Sequence, residues 1–286
     1  MKNKIITTLT AIILFAISAT QLQAQALKVP APSPLQTLKQ NFGLSEITIE
    51  YSRPSTKGRV IFGDLVPFSK MWRTGANQAT KITFGEEVKV QGTTVAAGTY
   101  ALYTIPEKAS WTVMLYKDLT MGGNVDEYKA ENEVLRFNVN ATALANKVET
   151  FTINIADITS KTANVELCWE NTRVAFGVSV EIDAKVMKNI ETTMSTDARP
   201  YHSAANYYYE NDKDLTKALE WADKAFQNNP KAYWSAHLKA KIQVKLKDYK
   251  GAIATAQQSM ALAVEDKNDE YVKMNQKLID EAGKNK

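Results

Sequence analysis

One cysteine and two histidines in 286 residues leave little material for several kinds of chemistry. A lone thiol, Cys168, cannot form an internal disulfide, so the fold must rest on its apolar cores. It sits in NVELCWE between Glu166 and Glu170, and flanking carboxylates raise a thiol's pKa and make it a poor nucleophile. His202 and His237 form no H-x-x-x-H or Cys/His grouping, so a zinc site has no ligand set. Both lie beyond residue 182. A Ser-His-Asp triad or Cys-His pair in the preceding region therefore needs His202 to reach into it. G-x-G-x-x-G and Walker loops are missing, which removes the usual nucleotide readings. No metal and no cofactor is expected.

Long apolar runs are equally scarce. The one uncharged stretch of note, residues 5–19, is short for a bilayer span of about 20 residues. It follows the basic MKNK and precedes QLQAQA, which ends in small residues. That three-part layout is a secretory signal, residues 1–26, with cleavage after Ala24 or Ala26. The expected product is a soluble periplasmic or secreted protein with no membrane span once the signal is removed. Loss of Lys2 and Lys4 takes the net charge from +4 to +2, a balance that does not argue for nucleic acid.

What is present is period-two patterning. In ITIEYS, Ile47, Ile49 and Tyr51 share one face. EEVKVQG, TYALYTIP, WTVMLYK, VLRFNVNA, ETFTINIADI, TANVELCWE and NTRVAFGVSVEI follow, with turn signals between several of them. WTVMLYK (111–117) is apolar on both faces, which predicts a central or covered strand. Short strands in series predict an antiparallel β-sandwich-like domain over residues 27–182.

The period then changes. Val186, Ile190 and Met194 stand at helical spacing, and the rest of the chain, 183–286, reads as a small all-α domain, giving an α+β protein. Ala218, Leu219, Ala222, Ala225 and Pro230 reappear 34 residues later as Ala252, Ile253, Ala256, Ser259 and Val264. A 34-residue period with small residues where paired helices touch is tetratricopeptide-like. Two partial copies and a final helix fall below the usual minimum of about three repeats. The bundle is therefore expected to dock on the β domain, or to offer its aromatic residues to a protein partner.

Two loops carry the densest positive charge. Between Tyr51 and Lys81 stand Arg53, Lys57, Arg59, Lys70, Arg73 and Lys81, against one acid, Asp64. Pro54 extends the chain at Arg53, Gly58 suits positive φ before Arg59, and Gly75 and Asn77 suit tight geometry beside Arg73. A guanidinium forks onto a carboxylate or phosphate, and Trp72 offers a flat face to a sugar ring. Arg53, Lys57, Arg59, Trp72, Arg73 and Asn77 are thus candidates for an anionic or carbohydrate-like small ligand. The alternative is a structural network in which these arginines tie loop carbonyls, or Asp64, and Trp72 is core. A further alternative is a cell-envelope hydrolase using Asp126 or Glu127, with Glu131 and Glu133 nearby.

SRPSTKGRVIFGDLVPFSKMWRTGANQATKITF, GTYALYTIP, WTV and WENTRVAF together resemble DUF2911, a family of exported Bacteroidetes proteins of unknown function. The resemblance spans roughly residues 30–180. It implies export and the β domain, and it places Arg53, Lys57, Arg59, Trp72, Arg73, Gly75 and Asn77 in the family's motif. No activity comes with it.

Overall fold

A computed structural model describes residues 29–197 and 199–285. The expected signal segment, residues 1–26, lies outside the described residues. Cα packing divides the chain into two compact units between Glu181 and Ile182.

The first unit is a nine-stranded antiparallel sheet with the order β1-β2-β3-β6-β7-β8-β9-β4-β5. Its strands are β1 (Leu35–Phe42), β2 (Ser45–Ser52), β3 (Ala76–Phe84), β4 (Val88–Val90), β5 (Thr93–Val95), β6 (Gly98–Pro106), β7 (Ser110–Tyr116), β8 (Glu133–Ala156) and β9 (Thr162–Ser179). The sequence pattern separates 134–141 from 149–158, yet β8 runs through both in 24 residues. Nothing interrupts it, because 133–156 contains neither glycine nor proline. Instead the β8–β9 register slips between Ala143 and Val148 and again before Thr152, and Glu170 takes a φ of 53°. These bulges bend the paired strands, so one sheet folds over onto its own far half.

The folded sheet encloses an aromatic core. Trp111 of β7, Phe151 of β8 and Trp169 of β9 meet Trp72 and Phe62 from the connecting loops. Tyr51 of β2 crosses the interior, its hydroxyl accepting the Ile153 N–H at 2.9 Å. The two apolar faces of β7 each find cover. Trp111, Val113 and Leu115 point into this core, while Met114 and Tyr116 join Ala79, Ala101, Tyr103 and Met121 on the opposite face. Residues 117–132 form the lid over that second face, contributing Leu119, Val125 and Tyr128.

Six helices form the second unit: α1 (Asp183–Met194), α2 (Tyr201–Glu210), α3 (Leu215–Asn228), α4 (Tyr233–Lys245), α5 (Tyr249–Glu265) and α6 (Asp269–Gly283). Asp214 and Asp248, 34 residues apart, cap α3 and α5 with their carboxylates. Fully buried Ala204, Ala205, Ala218 and Ala222 let α2 and α3 approach closely around Trp221 and Leu238. Ala240, Ala252 and Ala256 do the same further along, with Leu278 of α6.

Both histidines are built into this unit. His237 Nδ1 lies 2.8 Å from Asn275 Oδ1, and His202 Nδ1 lies 3.0 Å from Ser235 Oγ. Burial lowers both pKa values from the usual 6.5. Below that value the unfolded chain takes up protons that the folded unit resists, so helical stability must fall as the pH drops from about 6.5. The β unit contains no histidine. Its lowered groups are carboxyls, Asp118, Glu133 and Glu149, whose contribution is lost only as the pH falls through their depressed values. Hydrogen exchange read by mass spectrometry between about pH 7 and pH 5, corrected for intrinsic rates, should show opening free energies falling in the helices and holding in the sheet. Equal loss in both units would refute this assignment.

Candidate functional site

The two basic loops are adjoining pieces of one frame, but their cations have different surroundings. In the first loop, the Arg53 backbone N–H reaches the Pro34 carbonyl at 2.9 Å. Its side chain spans to β8, Nε donating to the Phe151 carbonyl at 3.0 Å and Nη2 to Thr152 Oγ1 at 2.7 Å. Pro54 is buried beside it and its carbonyl accepts the Phe151 N–H at 2.8 Å. Arg59 closes its own loop, giving Nε to the Thr56 carbonyl and Nη2 to the Ser55 carbonyl at 3.0 and 2.8 Å. Gly58 precedes it at a φ of 75° with open space around its Cα.

Glu149 of β8 anchors the same loop. Its carboxylate accepts from the Thr56 hydroxyl and from the Lys57 N–H, and those bonds hold its pKa below the usual carboxylate value. The sequence offered Asp64 as the acid for this cluster, whereas Glu149 takes the part. A residue about 90 positions downstream comes beside Thr56 only because β8 folds over. Lys57 itself is exposed, and among the described residues its ammonium makes no hydrogen bond or ion pair.

In the second loop Trp72 turns inward. It is 8% exposed, stacks on Trp169 and meets Phe151 and Trp111 edge-on. Its Nε1–H donates to the Gly75 carbonyl at 3.1 Å, and its backbone exchanges two hydrogen bonds with Thr104 of β6. The ring is thus a core wall, with no face for a sugar. Asn77 likewise serves the frame, its amide donating to the Ser33 carbonyl and Ser52 Oγ.

The stretch from Trp72 to Thr80, a loop that runs into the start of β3, is strained. Thr74 is fully buried and β-branched, yet takes a φ of 56°, and Asn77 takes 59°. Such positions cost about 1–3 kcal/mol each and persist only where surroundings over-determine them. Thr74 Oγ1 pairs with Thr104 Oγ1, and the Thr80 N–H bonds the Arg73 carbonyl at 3.1 Å. Gly75, at a φ of 152°, lies where a Cβ would press on the Ser52 carbonyl at 3.1 Å. Every one of these contacts fixes the backbone on both sides of Arg73.

Arg73 is the exception among six arginines. Nε–H donates to a carbonyl or carboxylate in Arg53, Arg59, Arg136, Arg173 and Arg199. In Arg73, Nε is buried and has no hydrogen-bond partner among the described residues. Its guanidinium lies against the Gly122–Gly123 turn, where a Cβ on Gly123 would sit 2.9 Å from Nη1 and 3.4 Å from Cζ. Tyr103 stands beside it, donating its hydroxyl to the Gly122 carbonyl at 2.8 Å. Burial, with Tyr116 and Asp118 nearby, pushes Tyr103 up to about 12, while Arg73 pulls the other way. The phenol therefore remains a neutral donor. Asp118 accepts from Thr120 N and Oγ1 at 2.8 and 2.6 Å, which lowers its pKa and pins the turn that leads into Met121–Gly123.

The remaining candidates are plainly placed. Asp126 and Glu127 form an exposed 3-10 turn, with Glu127 accepting from Asn124. Glu131 is also exposed, and Glu133 is held by Arg136 and Tyr128. Cys168 is part-buried, and its thiol is pushed up by burial first and by Glu166 second. No group of three or more metal-ligating side chains occurs among the described residues. No helix among them is long and apolar enough to cross a membrane.

A family model described as "Protein of unknown function (DUF2911)" matches residues 33–178, half of the chain, and the chain belongs to that family. The matched region contains both loops, Tyr103 and the Gly122–Gly123 turn. No curated protein and no solved structure matches it.

Proposed function

We propose that this DUF2911 chain is an exported, non-catalytic binding or scaffold protein whose β unit captures an anionic or carbohydrate-like ligand through Arg73. One observation carries the reading: a buried guanidinium N–H without an acceptor, in a loop held in strained geometry. Leaving a buried donor unpaired costs about 1–3 kcal/mol, so its retention is explained by an acceptor that arrives from outside the chain. A carboxylate, a phosphate or an acidic sugar supplies such an oxygen, and a charge-assisted bond to it is the strong kind. Arg53, Arg59, Trp72 and Asn77 serve as the frame that aims Arg73, and exposed Lys57 is left as a neighbouring cation. The helical unit, read as tetratricopeptide-like, serves domain docking or protein interaction.

The hydrolase alternative has less support, because Asp126 and Glu127 stand exposed and Glu133 is committed to Arg136. Thermal melting of the mature protein against glucuronate, inorganic phosphate and peptidoglycan fragments tests the reading. At least one should raise the melting temperature, and Arg73→Gln should abolish that rise. Without ligand, Arg73→Gln should change stability by about 1 kcal/mol or less, since among the described residues the Arg73 Nε–H has no hydrogen bond to lose. A large loss on its own, with no ligand effect, would leave only the scaffold role.

A further inference from the structure

An acceptor that arrives from outside must reach a nitrogen that is closed to solvent. Arg73 Nε is buried, so something over it has to move before an oxyanion can bond it. Gly123 is what lies there. A Cβ built on Gly123 falls 3.4 Å from both Cδ and Cζ, the two atoms bonded to Nε, and 2.9 Å from Nη1. A side chain pointing inward at this position would strike the guanidinium. Gly123 is itself exposed, so on this side the layer between Nε and water is one residue thick.

That cover is lightly tied. Residues 117–132 leave β7 and return to β8 with their ends joined, the Lys117 N–H donating to the Asn132 carbonyl at 2.8 Å, as in an Ω-loop. The second half of the loop is clamped. The Lys129 N–H donates to the Tyr116 hydroxyl at 2.9 Å, and Tyr128 stacks on the Tyr116 ring and bonds Glu133. In the first half the polar contacts are mostly internal: Thr120 bonds Asp118, and the Asn124 N–H bonds the Met121 carbonyl at 3.1 Å. Among the described residues, one hydrogen bond ties 118–124 to the sheet, from the Tyr103 hydroxyl to the Gly122 carbonyl. Leu119 and Met121 add apolar contact. Gly122, at a φ of 58°, and Gly123 give the turn backbone freedom that a Cβ would remove.

The geometry points to the 118–124 turn as a gate over Arg73. It bends at Gly122–Gly123 and lifts outward to admit an oxyanion to the Nε–H, with the Tyr103–Gly122 hydrogen bond as its latch. Closed, the turn leaves Nε–H unpaired, and open, that donor meets water or ligand. The unpaired donor therefore favours opening, and the latch opposes it. This rests on the ligand reading of Arg73 and adds how the ligand enters.

Solvent exchange of the Arg73 Nε–H, followed by nitrogen-15 NMR on the full mature chain, tests the gate without any ligand. In the wild type it should be slower than in free arginine and should share one opening constant with the buried Gly122 N–H. Tyr103→Phe removes the latch and keeps the ring. It should speed both exchanges by about fivefold and leave the Arg53 Nε–H unchanged. Exchange at the free-arginine rate, or a Tyr103→Phe effect on Gly122 that Arg73 does not share, would overturn the gate. If Arg53 also accelerates, the substitution has loosened the whole unit, and the shared opening constant in the wild type decides alone. Glucuronate and inorganic phosphate separate the gate from its ligand. If the exchange results hold and neither oxyanion shifts the Arg73 signal, the turn still opens as a gate and the ligand reading falls. If an oxyanion shifts that signal while Nε–H exchanges as in free arginine, the ligand reading stands and the gate falls.

Discussion

Trp72→Ala is expected to destabilise the β unit by about 3–5 kcal/mol, the usual cost of emptying a large aromatic site in a packed interior. The indole touches Phe62, Trp111, Phe151 and Trp169, which arrive from one loop and three different strands. No single neighbour can fill the space, because each is held by its own strand. The substitution also removes the N–H that satisfies the Gly75 carbonyl, in the loop where Thr74 and Asn77 already take positive φ. Core loss and loop loss therefore add in the same direction. Urea unfolding followed by near-ultraviolet circular dichroism measures it. A loss under about 1 kcal/mol is the size of a surface substitution and would mean Trp72 is not core.

Asn275→Ala is the second large effect, at about 2–4 kcal/mol in the helical unit. Asn275 is fully buried and makes three hydrogen bonds, each of 2.8 Å: from His237 Nδ1, to Ser259 Oγ and to the Tyr271 carbonyl. Ser259 in turn donates to the Tyr233 carbonyl at 2.7 Å, so one amide ties α4, α5 and α6. Alanine leaves the imidazole N–H without its acceptor and the Ser259 hydroxyl oxygen without its donor in a space closed to solvent. Such half-satisfied networks are costlier than none. Hydrogen exchange should show faster opening of α4 and α6 together. Accelerated exchange confined to α6 would contradict the shared network.

Much of the architecture was readable in the residues. Period-two patterning gave the antiparallel strands, and the two-faced apolar WTVMLYK asked for cover on both sides, which the core and residues 117–132 supply. The helical spacing of Ile190 and Met194 marked α1, whose apolar face packs on the α2–α3 core. The union of two strand patterns into β8 was less legible, because bulges are set by pairing partners and leave no glycine or proline signal.

Within the loops, residue type pointed to binding and to structure equally. Arg53, Arg59 and Arg73 are alike in sequence, and only long-range approach separates them. β8 folds over to give Arg53 the Phe151 carbonyl and gives the first loop its Glu149, whereas the 118–123 turn brings Arg73 glycine backbone but no acceptor for Nε. Tyr103 and Gly123 were missed for the same reason. A glycine whose Cβ would strike an arginine 50 positions upstream looks like any turn glycine until the chain is folded.

The central claim concerns a single N–H, and nitrogen-15 NMR of the arginine side chains reads it directly. Without ligand, the Arg73 Nε–H should stand apart from the carbonyl-bonded Arg53 and Arg59. On titration with glucuronate or phosphate it should move towards the bonded positions while those two stay fixed. If the Arg73 signal already lies with theirs in the free protein and no oxyanion shifts it, the guanidinium is structural and the proposed site does not exist.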